Sequence, residues 1–328
     1  MRSFEDGLIQ KIEKASKSTT PKGSLHLGMG DDAALWASPP GHDTVLTCDW
    51  FLEGTHFLRN THPPDSVGWK CLARAVSDVG AVGGEPKCFL LSLAIPGSHT
   101  GRWLSQFLAG LRRAARAFSC RLAGGDTTRR DRILINIMVL GQVRTGRALL
   151  RSGAKVGDLI FVSGRLGMAE CGWRSLRHDK SANPRNSRTV RKHLYPEPRL
   201  ALGQWLGKNR IASAMMDLSD GLSSDLPRLC AASGVGALIE AGKTPSVKPA
   251  QSPNLTPANR LDLALNGGED YELLFTVRPG KMRRVPDQFQ RIPLTCIGQV
   301  TRKRVIQIVQ TNGEKTNLVP GGWDPFRR

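Results

Sequence analysis

Six short acidic motifs recur along the 328-residue chain, and nearly every one sets carboxylates beside glycine or a hydroxyl. They are Gly30-Asp31-Asp32, Thr47-Cys48-Asp49, Ser77-Asp78, Gly124-Gly125-Asp126-Thr127-Thr128, Asp217-Leu218-Ser219-Asp220-Gly221 and Gly267-Gly268-Glu269-Asp270. The background is strongly basic, 47 Lys and Arg against 28 Asp and Glu, so acidic groups gathered in tight turns point to a site rather than a solvated surface. Carboxylate and hydroxyl oxygens are hard ligands that suit Mg²⁺ held together with substrate phosphates. Glycines beside them let the backbone come close and leave N–H groups to point at an anion. The chemistry implied is a nucleotide site with several magnesium ions. Singly, each motif reads equally well as structure: Gly30-Asp31-Asp32 as a turn, Asp217 to Gly221 as a helix start capped by Ser219 or Asp220. Their number argues against coincidence.

The elements that must position these residues alternate between strand and helix. In the first half, strands are expected at Thr44–Thr47, delivering Asp49 at its end, at Lys87–Ile95 and at Arg132–Val143. Helices are expected from Ser66 past Leu72, Val76 and Val79, and along the Trp103, Phe107, Leu111, Ala115 face. Phe4, Leu8, Ile9 and Ile12 predict an amphipathic helix at the start. A basic connector over Arg144–Gly153 marks a domain boundary, giving domains 1–146 and 147–328, in line with the length. In the second half, helices are expected at Leu200–Leu206 and Leu222–Ala232. Strands are expected at Asp158–Val162, Gly236–Glu240, Tyr271–Val277, Cys296–Val300 and Val305–Val309. Residues 243–259 read as loop. Residues 174–192, rich in Arg and Lys with little apolar content, read as a mobile surface loop dispensable for chemistry. The fold class is α/β (α+β), two domains that present strand-end loops to a shared cleft.

Composition excludes several function classes. No apolar run approaches the ~20 residues that cross a bilayer, and no signal-peptide core opens the chain, so a cytoplasmic protein without membrane attachment is expected. Seven scattered cysteines give neither a disulfide framework nor zinc spacing. The net charge of +19 would fit a nucleic-acid binder, but no nucleic-acid module is recognisable; attraction of anionic small molecules is the simpler reading.

Taken in order, Gly30 to Ala34, Glu53-Gly54-Thr55-His56-Phe57, Ala75 to Val79, Gly83-Gly84-Glu85-Pro86, Gly124 to Thr128, Asp217 to Asp225, Gly267 to Phe275 and the closing Gly321-Gly322-Trp323-Asp324-Pro325-Phe326 resemble the thiamine-monophosphate kinase family. That family belongs to the aminoimidazole-ribotide-synthetase-like ATP-binding superfamily, and the match runs nearly end to end. The resemblance implies an N-terminal domain that dimerises through its sheet, a C-terminal α/β domain, and an active site in the cleft between them. It implies transfer of the ATP γ-phosphoryl group to thiamine monophosphate. By motif, Asp32, Thr47, Cys48, Asp49, Asp78, Asp126, Asp217 and Asp220 would serve several Mg²⁺ ions, Cys48 through its carbonyl since the family commonly has Thr or Ser there. Gly125, Asp126, Arg151 and Ser219 would contact ATP; His56, Glu269 and Trp323 would contact the thiamine substrate. Without the resemblance, His56 reads as structural and Trp323 as a core anchor, while Arg151 reads as a linker surface charge or, in preference, a phosphate clamp. Other superfamily members, making aminoimidazole ribotide, selenophosphate or a hydrogenase-maturation intermediate, are the alternative.

Overall fold

In the computed structural model, residues 11–12, 14, 25–27, 35–36, 38–178, 187–252 and 254–326 are described. Most of the expected N-terminal helix, and the Gly30-Asp31-Asp32 motif with it, lie outside them. The chain divides into two compact units, residues 1–79 with 84–146, and residues 80–83 with 147–328.

In the first unit, strands β1 (Leu25–Leu27) and β2 (Leu35–Trp36) pair antiparallel. Then follow β3 (His42–Leu52), helix α1 (Pro64–Ala81), β4 (Glu85–Ile95), α2 (Arg102–Ala117), β5 (Arg121–Arg129) and β6 (Leu134–Arg144). The four long strands form a sheet of order β3-β6-β4-β5. Only β4 and β5 run parallel, because α2 carries the chain back between them. Alternation sends Phe89, Leu91 and Leu93 of β4 and Ile135, Ile137 and Val139 of β6 into a core shared with Leu72, Val76 and Val79 of α1 and Leu104, Phe107 and Leu111 of α2. The two helices meet backbone to backbone. A Cβ on Gly68 would stand 2.0 Å from the Phe107 carbonyl oxygen, and one on Gly110 1.8 Å from that of Asp65. Those two glycines fix the seat of α1. The other face of the sheet is apolar and open: Leu46 and Trp50 of β3 are 61% and 56% exposed, with Leu140 and Asn136 of β6 opposite them.

The second unit contains β7 (Leu159–Ser163), α3 (Met168–His178), α4 (Arg188–Leu194), α5 (Leu200–Lys208), β8 (Ala212–Leu218), α6 (Leu222–Ser233), β9 (Gly236–Glu240), α7 (Pro257–Asn266), β10 (Glu272–Val277), β11 (Gln288–Phe289), β12 (Ile292–Thr301), β13 (Ile306–Val309) and β14 (Lys315–Asn317). Its sheet runs β14-β13-β9-β12-β7-β10-β8, with β11 on β12; β13 and β9 form its parallel pair. Both faces are covered. Ile160, Val162, Met216 and Leu274 pack with Leu222, Leu226 and Leu229 of α6. The alternate residues Phe161, Met215, Leu273 and Phe275 pack with Leu202 and Leu206 of α5.

Several expectations need correction. β3 runs to Leu52, so Asp49 lies inside the strand and not at its end. Helix α7 begins inside the expected 243–259 loop, where Thr256 caps it by accepting from Asn259 N and Pro257 starts it. The 174–192 stretch is no continuous surface loop: 174–178 close α3 and 188–192 belong to α4, while 179–186 lie outside the described residues. Lys192 there reaches inward to an ion pair with the buried Glu272, which removes the basis for calling the stretch dispensable.

Candidate active site

The expected site residues fall into groups, one series in each unit. In the first unit Thr47 and Asp49 alternate onto the face of β3 that α1 covers. Thr47 Oγ1 donates to Asp78 Oδ2 of α1 at 2.5 Å. Arg74, one turn earlier on α1, lies 3.7 Å from Asp49 Oδ1 and stacks its guanidinium over Phe51. Helix and strand thus present two carboxylates and a hydroxyl together. Cys48 points to the opposite face, its Sγ against Asn136. His56 turns inward: its Nδ1 accepts from Leu52 N at 3.0 Å and its ring stacks on Phe51.

Asp126 is not brought to Asp49. Cross-strand register runs from Asp49 to Ile137, Leu91 and then Gly125, placing the two motifs on opposite edges of the sheet. Three strand spacings separate them by about 14 Å. Asp126 is exposed on β5, so this motif is strand and not the expected turn. Gly125 is required there by close approach, since its Cβ would meet the Leu91 carbonyl oxygen at 1.9 Å.

In the second unit Asp217 lies buried next to the end of β8, and Ser219 to Gly221 lead into α6. The loop is organised by Asp225 in the helix's first turn. Its fully buried carboxylate accepts from the N–H groups of Ser219, Asp220 and Gly221 at 3.0–3.1 Å. Those three donors therefore point at a side chain and not outward at an anion, contrary to the expectation for this motif. Burial, helped by neighbouring Asp220, pushes the Asp225 pKa up to about 6 against the pull of the N–H groups and Arg228. Arg228 bridges Asp220 at 2.5 Å and Asp225 at 2.7 Å.

Two further segments hang on this loop. Glu269, at φ +66°, donates its N–H to the Ser219 carbonyl at 2.7 Å. Trp323 donates its N–H to the Asp220 carbonyl at 2.9 Å, and Gly321 N donates to Ser223 Oγ. Asp217, Ser219, Asp220, Glu269 and Trp323 are thereby gathered on one scaffold. The indole is 47% exposed, so Trp323 does not close a core. Arg151 lies by the far end of α6, where its carbonyl accepts from the Oγ of Ser233, the last residue of that helix.

Below Glu269 lies a buried polar layer the sequence reading missed. Asp270 accepts from Gly167 N and Ala169 N at the start of α3; burial raises its pKa to about 7 even though Lys192 and those N–H groups oppose it. Glu272 is 1% exposed and accepts from Lys192, twice from Arg199, and from Ser163 Oγ. Burial would raise its pKa, but Arg199 and Lys192 win and hold it at about 2. One signal was available: a Glu inside Tyr271-Glu272-Leu273-Leu274-Phe275 must be buried, and a buried carboxylate needs a cation. Its partners, more than 70 residues away, carried no mark.

Among the described residues no three His, Cys, Asp or Glu side chains converge on a ready-made metal cage. The donors present are carboxylates and a hydroxyl in small groups. That fits Mg²⁺, which keeps waters and binds through one or two carboxylates plus phosphate oxygens rather than a full protein cage.

Family models describe residues 30–143 as an AIR synthase related protein N-terminal domain and residues 155–310 as the corresponding C-terminal domain. The thiamine-monophosphate kinase of Buchnera aphidicola subsp. Acyrthosiphon pisum is 40% identical over 280 residues, 84% of each chain. The crystal structure of thiamine-monophosphate kinase from Stenotrophomonas maltophilia superposes with a TM-score of 0.82 at 33% identity, covering 95% of this chain and 97% of that one. AaThiL, solved with AMPPCP and TMP, superposes with a TM-score of 0.76 at 32% identity over 99% of both chains. With likeness along most of its length, the chain belongs to the thiamine-monophosphate kinase family of AIR-synthase-related proteins.

Proposed function

We propose that the protein transfers the γ-phosphoryl group of ATP to thiamine monophosphate, yielding thiamine diphosphate and ADP, the last step of thiamine diphosphate biosynthesis. The observation that carries this reading is the 40% identity to a kinase of that name over most of both chains. The gathering of Ser219, Asp220, Glu269 and Trp323 on one loop supports it.

Thr47, Asp49 and Asp78 in the first unit, with Asp217 and Asp220 in the second, are the residues that would hold Mg²⁺. Bound magnesium would neutralise repulsion between the two phosphate-bearing reactants and clamp the transferring group. The chain's own task is positioning. The acceptor is a phosphate monoester with a second pKa of ~6, already ionised at neutral pH, so no general base is needed. Asp225 stiffens the loop from within by taking up its N–H groups, and the loop carbonyls hold Glu269 and Trp323 in turn. The half-exposed indole offers a π face, and Glu269 a negative charge, to the cationic thiazolium. Direct in-line transfer without a covalent enzyme intermediate follows from such a site.

The same reading makes the protein a cytoplasmic homodimer, joined through the open sheet face that carries Leu46 and Trp50. Among the described residues no helix is long and apolar enough to cross a membrane. The purified protein incubated with ATP, Mg²⁺ and thiamine monophosphate should form thiamine diphosphate and ADP in equal amounts, and a chelator should stop it. ADP release without thiamine diphosphate would refute the assignment.

A further inference from the structure

Glu269 is held from more than one side. Its backbone sits in the left-handed region, flanked by Tyr271 at φ +48°, a conformation non-glycine residues adopt only when their surroundings impose it. Its N–H is fixed to the Ser219 carbonyl. Its carboxylate Oε2 faces His193 Nδ1 at 3.4 Å. His193 is 3% exposed and stacks on Trp173 with ring centroids 5.4 Å apart, so the imidazole has little freedom to turn away.

What holds His193 there is the buried ion cluster. It belongs to α4, seven residues long and too short to be stable alone. Ser187 caps that helix by accepting from Val190 N. The residue before His193, Lys192, donates to Glu272 Oε1 at 2.6 Å, and Arg199 grips the same carboxylate. Glu272 on β10 thus ties α4 to the sheet three residues from Glu269, and the tie delivers the imidazole to the Glu269 carboxylate.

We infer that His193 is a positioning residue for the acceptor substrate: its Nδ1–H donates to Glu269 and aims that carboxylate at the thiamine moiety. The inference rests on the kinase reading above, in which Glu269 contacts thiamine monophosphate. The competing view is that His193 only fills space beneath α4.

Two substitutions separate these views. His193→Phe keeps a ring on Trp173 but removes the donor, whereas His193→Asn keeps a donor close to the Nδ1 position and gives up the ring. If His193 positions Glu269, His193→Phe should raise KM for thiamine monophosphate about fivefold, with kcat and KM for ATP within about twofold, and His193→Asn should stay within about twofold of wild type throughout. In a Glu269→Ala background, which leaves no acceptor for the imidazole, the Phe substitution should add nothing further. Equal effects of Phe and Asn, a joint rise in both KM values, or an undiminished effect in the Glu269→Ala background would overturn the inference. Nitrogen-15 spectra of the imidazole give a readout that does not depend on variants at His193: Glu269→Gln should displace the His193 Nδ1 resonance, and an unmoved resonance counts against the contact. Failure of the wild-type protein to make thiamine diphosphate would strike the kinase reading itself and is seen before any variant is made.

Discussion

Asp49 and Asp78 reach one another's neighbourhood from a strand and a helix, with Thr47 bonded to Asp78 and Arg74 close to Asp49. Changing either Asp to Asn keeps the shape and removes a negative ligand. Each variant should lose activity by at least 10–100-fold or so, with its melting temperature little changed, as turnover and thermal unfolding of one preparation would tell. Wild-type turnover in a folded variant would take that residue out of the site. Trp323→Ala keeps the N–H that binds the Asp220 carbonyl and deletes only a half-exposed indole. KM for thiamine monophosphate should rise about 2- to 30-fold, the equivalent of ~0.5–2 kcal/mol, while KM for ATP holds. Stability should change by no more than ~0.5 kcal/mol, and a larger loss in denaturant titration would mean the indole packs after all. The two Asp were legible because acidic motifs beside a hydroxyl or glycine stand out in so basic a chain, whereas Trp323 was legible only through the family resemblance. Asp225 was visible in the same motif, but its service to the loop's N–H groups emerges only once α6 turns it back on the loop. His193, Lys192 and Arg199 were hidden because nothing in an Arg-rich stretch tells a buried cation from a solvated one.

At the scale of elements, α4 and β10 depend on the Glu272 cluster. Glu272→Gln takes from Lys192 and Arg199 the countercharge both are bonded to, in a largely buried cluster, and should cost ~3 kcal/mol, read from urea unfolding. The layer also sets a dependence on pH. Asp270 has its pKa raised from 3.8 to about 7, so its contribution to stability is full below pH 3.8 and is lost as pH rises through 7. Glu272 has the opposite sign: lowered from 4.5 to about 2, it contributes fully above pH 4.5 and loses this as pH falls through 2. Asp270→Asn should therefore flatten the fall in stability between pH 4 and 7, leaving the shallower part due to Asp225. An unchanged slope in unfolding free energy across that range would show that Asp270 is not the group responsible. Long amphipathic elements such as α1 and α2 could be read from the sequence by their period. Strands β5 and β8 could not. The Gly-Gly-Asp run of β5 looks like a turn until β4 is beside it, and β8 is buried on both faces and so shows no alternation.

For the whole molecule, the two units, the basic charge and the open sheet face each carry a consequence. If the Leu46 and Trp50 face joins two copies, Trp50→Lys should shift the protein from dimer to monomer in sedimentation velocity; an unaltered sedimentation coefficient would place the interface elsewhere. The +19 net charge belongs to a protein that handles anionic small molecules, so tight nucleic-acid binding should not survive physiological salt. In the proposed reaction the acceptor's own ionised phosphate attacks ATP, and the protein supplies position and electrostatics. Initial rates with thiamine monophosphate and with free thiamine, measured side by side on one preparation with ATP and Mg²⁺, test it most directly. Free thiamine must lose a hydroxyl proton to react, a step the already ionised monophosphate does not need. Rapid turnover of the monophosphate with little or none of free thiamine is expected; comparable rates on the two would rule out direct attack by the acceptor phosphate.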